Sequence, residues 1–346
     1  MWNKALWLQN WKNSKYVIYT LWIILFVTIP IYYLQALSDN YNYEKRNGTF
    51  EYQHYFDIAY PTITVTILIL CLAIMLTTME YHNENSDFHL SLPFSRKDIF
   101  FSKFVYGAIH IIVALAVNIA LTLIIIQTTV IHQYETNAYA HWGMFFLLAS
   151  ATFVAIYALA LFIGTITGHV VAHFTLTGIL LFFTHGCILL VERILYAHTW
   201  SQNFTFYEAH DAIKSFTLPI MLAEYSITNS PGYGTSYNDP DYLPVSFDVM
   251  MPTPYLFLSS AIIIAICLYF GQQACTHTKS ENGYKALLFP SLHQPFIICT
   301  SICVALVGGF FDSAPGYLFI NYILLIFCGL VTYFLLQWIF RRKQVA

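Results

Sequence analysis

FVYGAIHIIVALAVNIALTLIIIQTTVI, residues 104–131, runs for 28 positions without one Asp, Glu, Lys or Arg. As a helix it would be about 42 Å long at about 1.5 Å per residue, more than the roughly 30 Å hydrocarbon core of a bilayer. A helix on a soluble protein would alternate its apolar stripe with a charged face, and this one has none. Working outward, seven further apolar runs lie at 16–37, 58–79, 142–167, 174–191, 255–275, 296–311 and 317–340. Only internally hydrogen-bonded helices or closed barrels span lipid, and runs of this length without a period of two are helical. The expected fold is an all-α polytopic integral membrane protein with about eight transmembrane helices in one transmembrane domain. Six or seven spans result if the fourth and fifth runs, separated only by residues 168–173, or the short seventh run do not cross separately.

Composition points the same way. The 346 residues are 58% hydrophobic and 10% charged, with a mean hydropathy of +0.60, whereas about a quarter of a globular chain is charged. A net charge of -3 leaves no basic surplus for a polyanion, so nucleic acid is excluded as a main partner. The seven cysteines all fall in apolar runs, which is packing and not a disulfide framework; Cys299 and Cys303 share a helical face, but two thiols without a third ligand make no metal site.

Cytoplasmic loops carry the excess of Lys and Arg. With the N-terminus inside, eleven of the fifteen basic residues (Lys4, Lys12, Lys15, Arg96, Lys97, Lys103, Lys279, Lys285, Arg341, Arg342, Lys343) are cytoplasmic. Only Lys45, Arg46, Arg193 and Lys214 stay outside, so both termini are expected in the cytoplasm. The first apolar run is too long for a signal-peptide core and has no small-residue cleavage site, and it reads as retained. Before it, Trp2, Leu6 and Trp7 alternate with Lys4, Lys12 and Lys15, which suits an interfacial helix over residues 1–15.

The polar segments are unequal. Outside, 38–57 is acidic and aromatic, and the extracellular loop 195–254 holds six of the twelve prolines; helical spacing within 204–225 predicts short helices over the outer mouth. Inside, 80–103 and 276–294 stand out. Pro93 breaks whatever precedes it, and Ser95 with Asp98 forms a capping box that starts a helix running into the third span.

The stretch from Glu80 to Lys103 resembles the cytoplasmic loop of ABC-2 type transporter permeases. There a Glu at the end of the second span is followed thirteen residues later by the Pro of a Ser-Leu-Pro-x-Ser-Arg element, then by a Lys; here these are Glu80, Ser91-Leu92-Pro93-Phe94-Ser95-Arg96 and Lys103. Lys279-Ser280-Glu281-Asn282-Gly283 is similar to a Lys-Ser-Glu-x-x-Gly element in permeases of Gram-positive bacteria associated with small-metabolite uptake and cell-wall-antibiotic response, with the Gly one residue early. The Gly-Thr that members often carry just after the Glu is Glu84-Asn85 here, a departure at the local turn.

The resemblance implies a permease subunit in a bacterial cell membrane, driven by cytoplasmic ABC ATPase subunits and paired with a second permease subunit as a homo- or heterodimer within membrane lipid. It brings no cofactor of its own: ATP and Mg belong to the partner, and the chain has no G-x-x-x-x-G-K-[ST] loop. Phe88, Leu90, Leu92 and Phe94 would enter a cleft on the ATPase while Asp87, Arg96 and Lys97 fix the register. Glu80 would hold the loop against Lys103 or a backbone amide, and Glu281 belongs to the second cytoplasmic contact.

Enzyme readings fare poorly. His110, His169, His173 and His185 have no acidic neighbour at catalytic spacing, no H-E-x-x-H is present, and one backbone carbonyl satisfies a neutral imidazole. Gly164-x-x-x-Gly168 reads as a close helix contact. The spans are almost free of charge, which disfavours an ion pore or proton relay and favours export of an amphiphilic, lipidic or peptide-like substrate along an aromatic lining. The other reading of the same features is a membrane sensor or immunity-type binding protein that uses its extracellular loop.

Overall fold

The structure, a computed structural model, describes residues 4–47, 54–57, 59–79, 94–133, 138–199, 213–230, 246–250, 255–277, 288–289, 291, 293–309 and 318–345. The chain folds as an all-α polytopic membrane protein. Its helices are α1 (Lys4–Phe26), α2 (Tyr32–Asn47), α3 (Ala59–Leu76), α4 (Arg96–Thr128), α5 (Ala138–Ile166), α6 (Val170–Thr199), the short α7 (Leu218–Ala223), α8 (Tyr255–His277), α9 (His293–Gly309) and α10 (Leu318–Val345). Among the described residues six helical stretches are long and apolar enough to cross a bilayer, and Pro61–Leu76 and His293–Gly309 are shorter apolar helices. Each of the eight coincides with one of the eight apolar runs of the sequence. The 17 residues of α9 rise about 26 Å, close to the hydrocarbon thickness.

The first span contains Pro30, which lacks an amide hydrogen and crowds the preceding turn. The backbone answers with a π-helical turn, Val27–Ile31, that joins α1 to α2 without ending the helix. Residues 4–15, expected as an interfacial helix, are helical, and α1 continues from them without a break into the span. Leu6, Asn10, Ser14, Ile18, Leu21 and Leu25 are its buried residues, a stripe at spacings of four and three against α3 and α4.

The centre of the bundle is α5. Two-thirds of its apolar stretch is buried against 6% for α10, and it packs on α3, α4, α6, α7 and α8. Its stripe Trp142, Phe145, Ala149, Phe153, Ile156, Tyr157, Ala160 and Leu161 is almost wholly excluded from the surface. Helices α9 and α10 form a hairpin closed through small residues: a Cβ on Gly309 would lie 2.8 Å from Leu325 Cα, and one on Gly329 3.0 Å from Ala305 Cβ.

At one end of the bundle a small antiparallel sheet, order β1-β2-β3, joins β1 (His54–Asp57), β2 (Ser226–Ser230) and β3 (Ser246–Met250). His54 opposes Asn229, and Ser226 opposes Met250. These strands of four and five residues gave no sequence signal. They bring the segment after the first span and the long loop together at one end of the bundle.

Candidate functional site

The candidate site lies where the helices emerge at the end opposite the sheet. α4 begins at Ser95, whose backbone is extended (φ -68°, ψ 146°) and whose Oγ accepts from the Asp98 amide at 3.1 Å. The Ser95 hydroxyl in turn donates to Asp98 Oδ2 at 2.6 Å. The N-cap half of the expected capping box is therefore formed, with the Asp98 carboxylate bonded to the Ser95 hydroxyl, and Asp98 lies where a helix dipole favours an acid. Phe94 is half-buried and Arg96 and Lys97 are exposed. Two cations in a first turn oppose the same dipole, so helix stability does not account for them. Lys103, two turns on, is 8% exposed and belongs with the bundle. Of the other expected docking residues, Glu80, Asp87, Phe88, Leu90, Leu92, Pro93 and Glu281 lie outside the described residues.

The first three turns of α4 are held from three sides. Phe100 is buried against Gly271 of α8, where a Cβ would overlap its ring. From α5, the fully buried Tyr157 donates its hydroxyl to the Lys103 carbonyl at 2.7 Å, stacks on Phe104 at 6.3 Å, and fills the space left by the missing side chain of Gly107. From α1, Asn10 Nδ2 reaches Ser102 Oγ at 3.5 Å, the Ser14 and Tyr106 hydroxyls pair at 3.1 Å, and Trp7 packs edge-on to Tyr106 at 4.7 Å. Trp7 and Trp11 also flank His110, with ring centres 5.6 and 5.8 Å away.

The other end of the segment that leads into α4 is the end of α3, and a histidine holds it. His173 of α6 is fully buried, with Nε2 2.8 Å from the Ala160 carbonyl and Nδ1 2.7 Å from Thr78 Oγ1. A carbonyl only accepts, so Nε2 carries the hydrogen and Nδ1 accepts from Thr78, two residues before Glu80. The sequence reading of a histidine satisfied by a backbone carbonyl is met, with Thr78 as a second partner. Gly164 makes this possible: a Cβ there would come within 2.8 Å of Thr77 Cβ and 2.9 Å of His173 Cε1. One residue of the segment between α8 and α9 joins the group, since the Leu288 amide donates to the Ile166 carbonyl at 2.9 Å and Leu288 is buried.

Sequence reasoning missed Tyr157, Thr78, Gly107 and Gly271. A glycine inside an apolar helical run is itself a sign of close packing, and Gly107 and Gly271 carried that sign; Tyr157 is one of 26 tyrosines and carried none. At the sheet end of the bundle, one short helix lies within 204–225, where short helices were expected: α7, whose Leu218, Met221 and Leu222 are buried. Tyr225 donates to the His141 carbonyl at 2.9 Å, Ser259 to the Ser215 carbonyl at 2.8 Å, and Lys214 pairs with Glu224.

These features define a polytopic membrane protein with a capped, basic helix start at one root of the segment between α3 and α4 and a buried clasp at its other root. The family model described as ABC-2 family transporter protein matches residues 9–274, and the chain belongs to that family: it is the permease component of an ABC transporter. The match covers α1 through most of α8, while α9 and α10 lie beyond it. No curated protein and no solved structure matches the chain.

Proposed function

We propose that this chain is the transmembrane permease subunit of an ATP-driven exporter in a bacterial plasma membrane, working as a homo- or heterodimer on cytoplasmic ABC ATPase subunits. Residues 80–103 are the principal docking segment and 276–294 the second. The observation that carries this reading is the way the segment is anchored. Its N-terminal root at Thr77 and Thr78 and its C-terminal root at residues 95–107 are both fixed into the bundle, and the sequence between them carries Phe88, Leu90 and Leu92 ahead of the exposed Arg96 and Lys97. Three apolar side chains are costly on a free cytoplasmic loop and useful in a partner's cleft.

The cargo we propose is amphiphilic, lipidic or peptide-like. Among the described residues, the buried polar side chains of the spans are mostly hydroxyls and amides, such as Thr62, Thr66, Asn118, Thr122, Thr152 and Ser260, with Lys103 the only buried Lys, Arg, Asp or Glu. Such a lining supplies hydrogen bonds without the charged rings an inorganic ion path needs. The buried helix α7 and the strands beside it would act as an ordered cover over the outer mouth.

Docking is tested by Leu90→Ala combined with Leu92→Ala. Burial of each leucine in a cleft contributes about 1.5–3 kcal/mol, so the pair should weaken association more than about 100-fold and the ATPase should be lost on purification in mild detergent. Glu80→Gln should keep the ATPase and lower transport per ATP. A double variant that retains its ATPase at wild-type stoichiometry and transports normally removes the docking assignment.

A further inference from the structure

The contacts that anchor the cytoplasmic segments share one helix. In order along α5, Tyr157 holds the Lys103 carbonyl and the gap at Gly107, Ala160 holds His173 and through it Thr78, Gly164 admits Thr77, and the Ile166 carbonyl takes the Leu288 amide. Both roots of the first segment and one residue of the second are thus tied to residues 157–166, the cytoplasmic third of the most buried helix. α4 and α8 also touch each other, through Phe100 and Gly271, and α5 carries a bond or close contact to all three points.

We propose that residues 157–166 of α5 collect the movement of both cytoplasmic segments and deliver it to the spans, with Tyr157, Thr78 and His173 as the positioning residues. This rests on the permease reading above. A helix tied at one end only would let the segment pivot about its free root. With both roots on α5, movement of the segment reaches α5, whose close packing on α3, α4 and α8 passes it to those helices. His173 is suited to this task because a neutral imidazole offers one donor and one acceptor on opposite sides of a rigid ring, so it spans Ala160 and Thr78 without a flexible linker.

The test uses the full chain with its copurified ATPase in lipid nanodiscs, on a cysteine-free background, with nitroxides at Tyr41 and Tyr255, exposed positions on α2 and α8 near the outer end. In wild type, ATP with vanadate should shift the distance distribution between them. Tyr157→Phe and Thr78→Val each delete one hydroxyl and little volume. Each should keep the ATPase and its hydrolysis while moving the equilibrium between the two distances about fivefold back toward the resting one, the effect one buried hydrogen bond has on a two-state balance. His173→Gln, which retains a donor and an acceptor, should lie nearer wild type than His173→Leu. Wild-type shifts in Tyr157→Phe and Thr78→Val overturn the proposal, as does the absence of any nucleotide-driven shift in wild type. Loss of the ATPase from these variants also overturns it, since that assigns the contacts to assembly. A wild-type chain that copurifies no ATPase instead removes the permease reading on which the proposal rests.

Discussion

Replacing Gly107 by alanine puts one methyl group where the Tyr157 ring now sits. The ring cannot swing aside cheaply, because Tyr157 is fully buried, stacked on Phe104 and bonded to the Lys103 carbonyl. Overpacking of this kind costs about 1–3 kcal/mol, and the hydrogen bond lost if the ring tilts adds about 1 kcal/mol. Alanine's better helix propensity returns about 1 kcal/mol. The net expectation is a destabilisation of about 1–3 kcal/mol. Gly143 and Gly178 are the controls: a Cβ at either meets nothing within 4 Å, so alanine there should be neutral or stabilising by up to about 1 kcal/mol. Reversible unfolding in mixed lipid–detergent micelles, read by steric trapping or by an SDS titration, resolves differences of this size. Combining Gly107→Ala with Tyr157→Leu should cost less than the two changes summed, with a coupling of at least about 1 kcal/mol, because the obstacle is the ring itself. Equal midpoints for Gly107→Ala and Gly143→Ala would refute the α4–α5 contact and the transmission argument built on it.

Two further outcomes test the topology and the outer sheet. Cysteines at Ser201 and Ser280, on a cysteine-free background, should react with an impermeant maleimide from opposite sides of the membrane, and equal labelling from outside would reject the inside-terminus arrangement. Cysteines replacing His54 and Asn229, direct partners across β1 and β2, should cross-link under mild oxidant, since facing antiparallel residues lie about 4.5–5.5 Å apart at Cα and disulfides span about 4.4–6.8 Å; no adduct would mean the two outer segments do not pair.

The spans were legible in the sequence because lipid imposes one dominant constraint, and residues 104–131 satisfy it without exception. The helix start at Ser95 was legible for a different reason: a serine three residues before an aspartate carries its own local chemistry, and the structure forms that cap. His173 was half legible. Its satisfaction by a carbonyl followed from the chemistry of neutral imidazole, but Ala160 and Thr78 lie 13 and 95 residues away in sequence, and apolar runs carry no record of which helix faces which. The same holds for Tyr157 and Gly107, whose fit depends on the crossing of α4 and α5. The strands β1, β2 and β3 were illegible because runs of four or five residues are too short for a period to stand out, and the paired strands β1 and β2 lie far apart in the chain. Pro30 lies inside the first apolar run, and the helix absorbs it in a π turn, which lipid favours because an interrupted backbone would leave polar groups unpaired.

The most direct test of the central claim places a photo-crosslinking amino acid at Phe88, at Glu281 and, as an outer control, at Ser201, in cells expressing the chain with its native partners. If the cytoplasmic segments carry the ATPase, irradiation should join Phe88 and Glu281 to a protein that binds ATP, identified by mass spectrometry of the adduct, while Ser201 gives no such product. An absence of any ATP-binding adduct at both cytoplasmic positions, or the same adduct from Ser201, would contradict it.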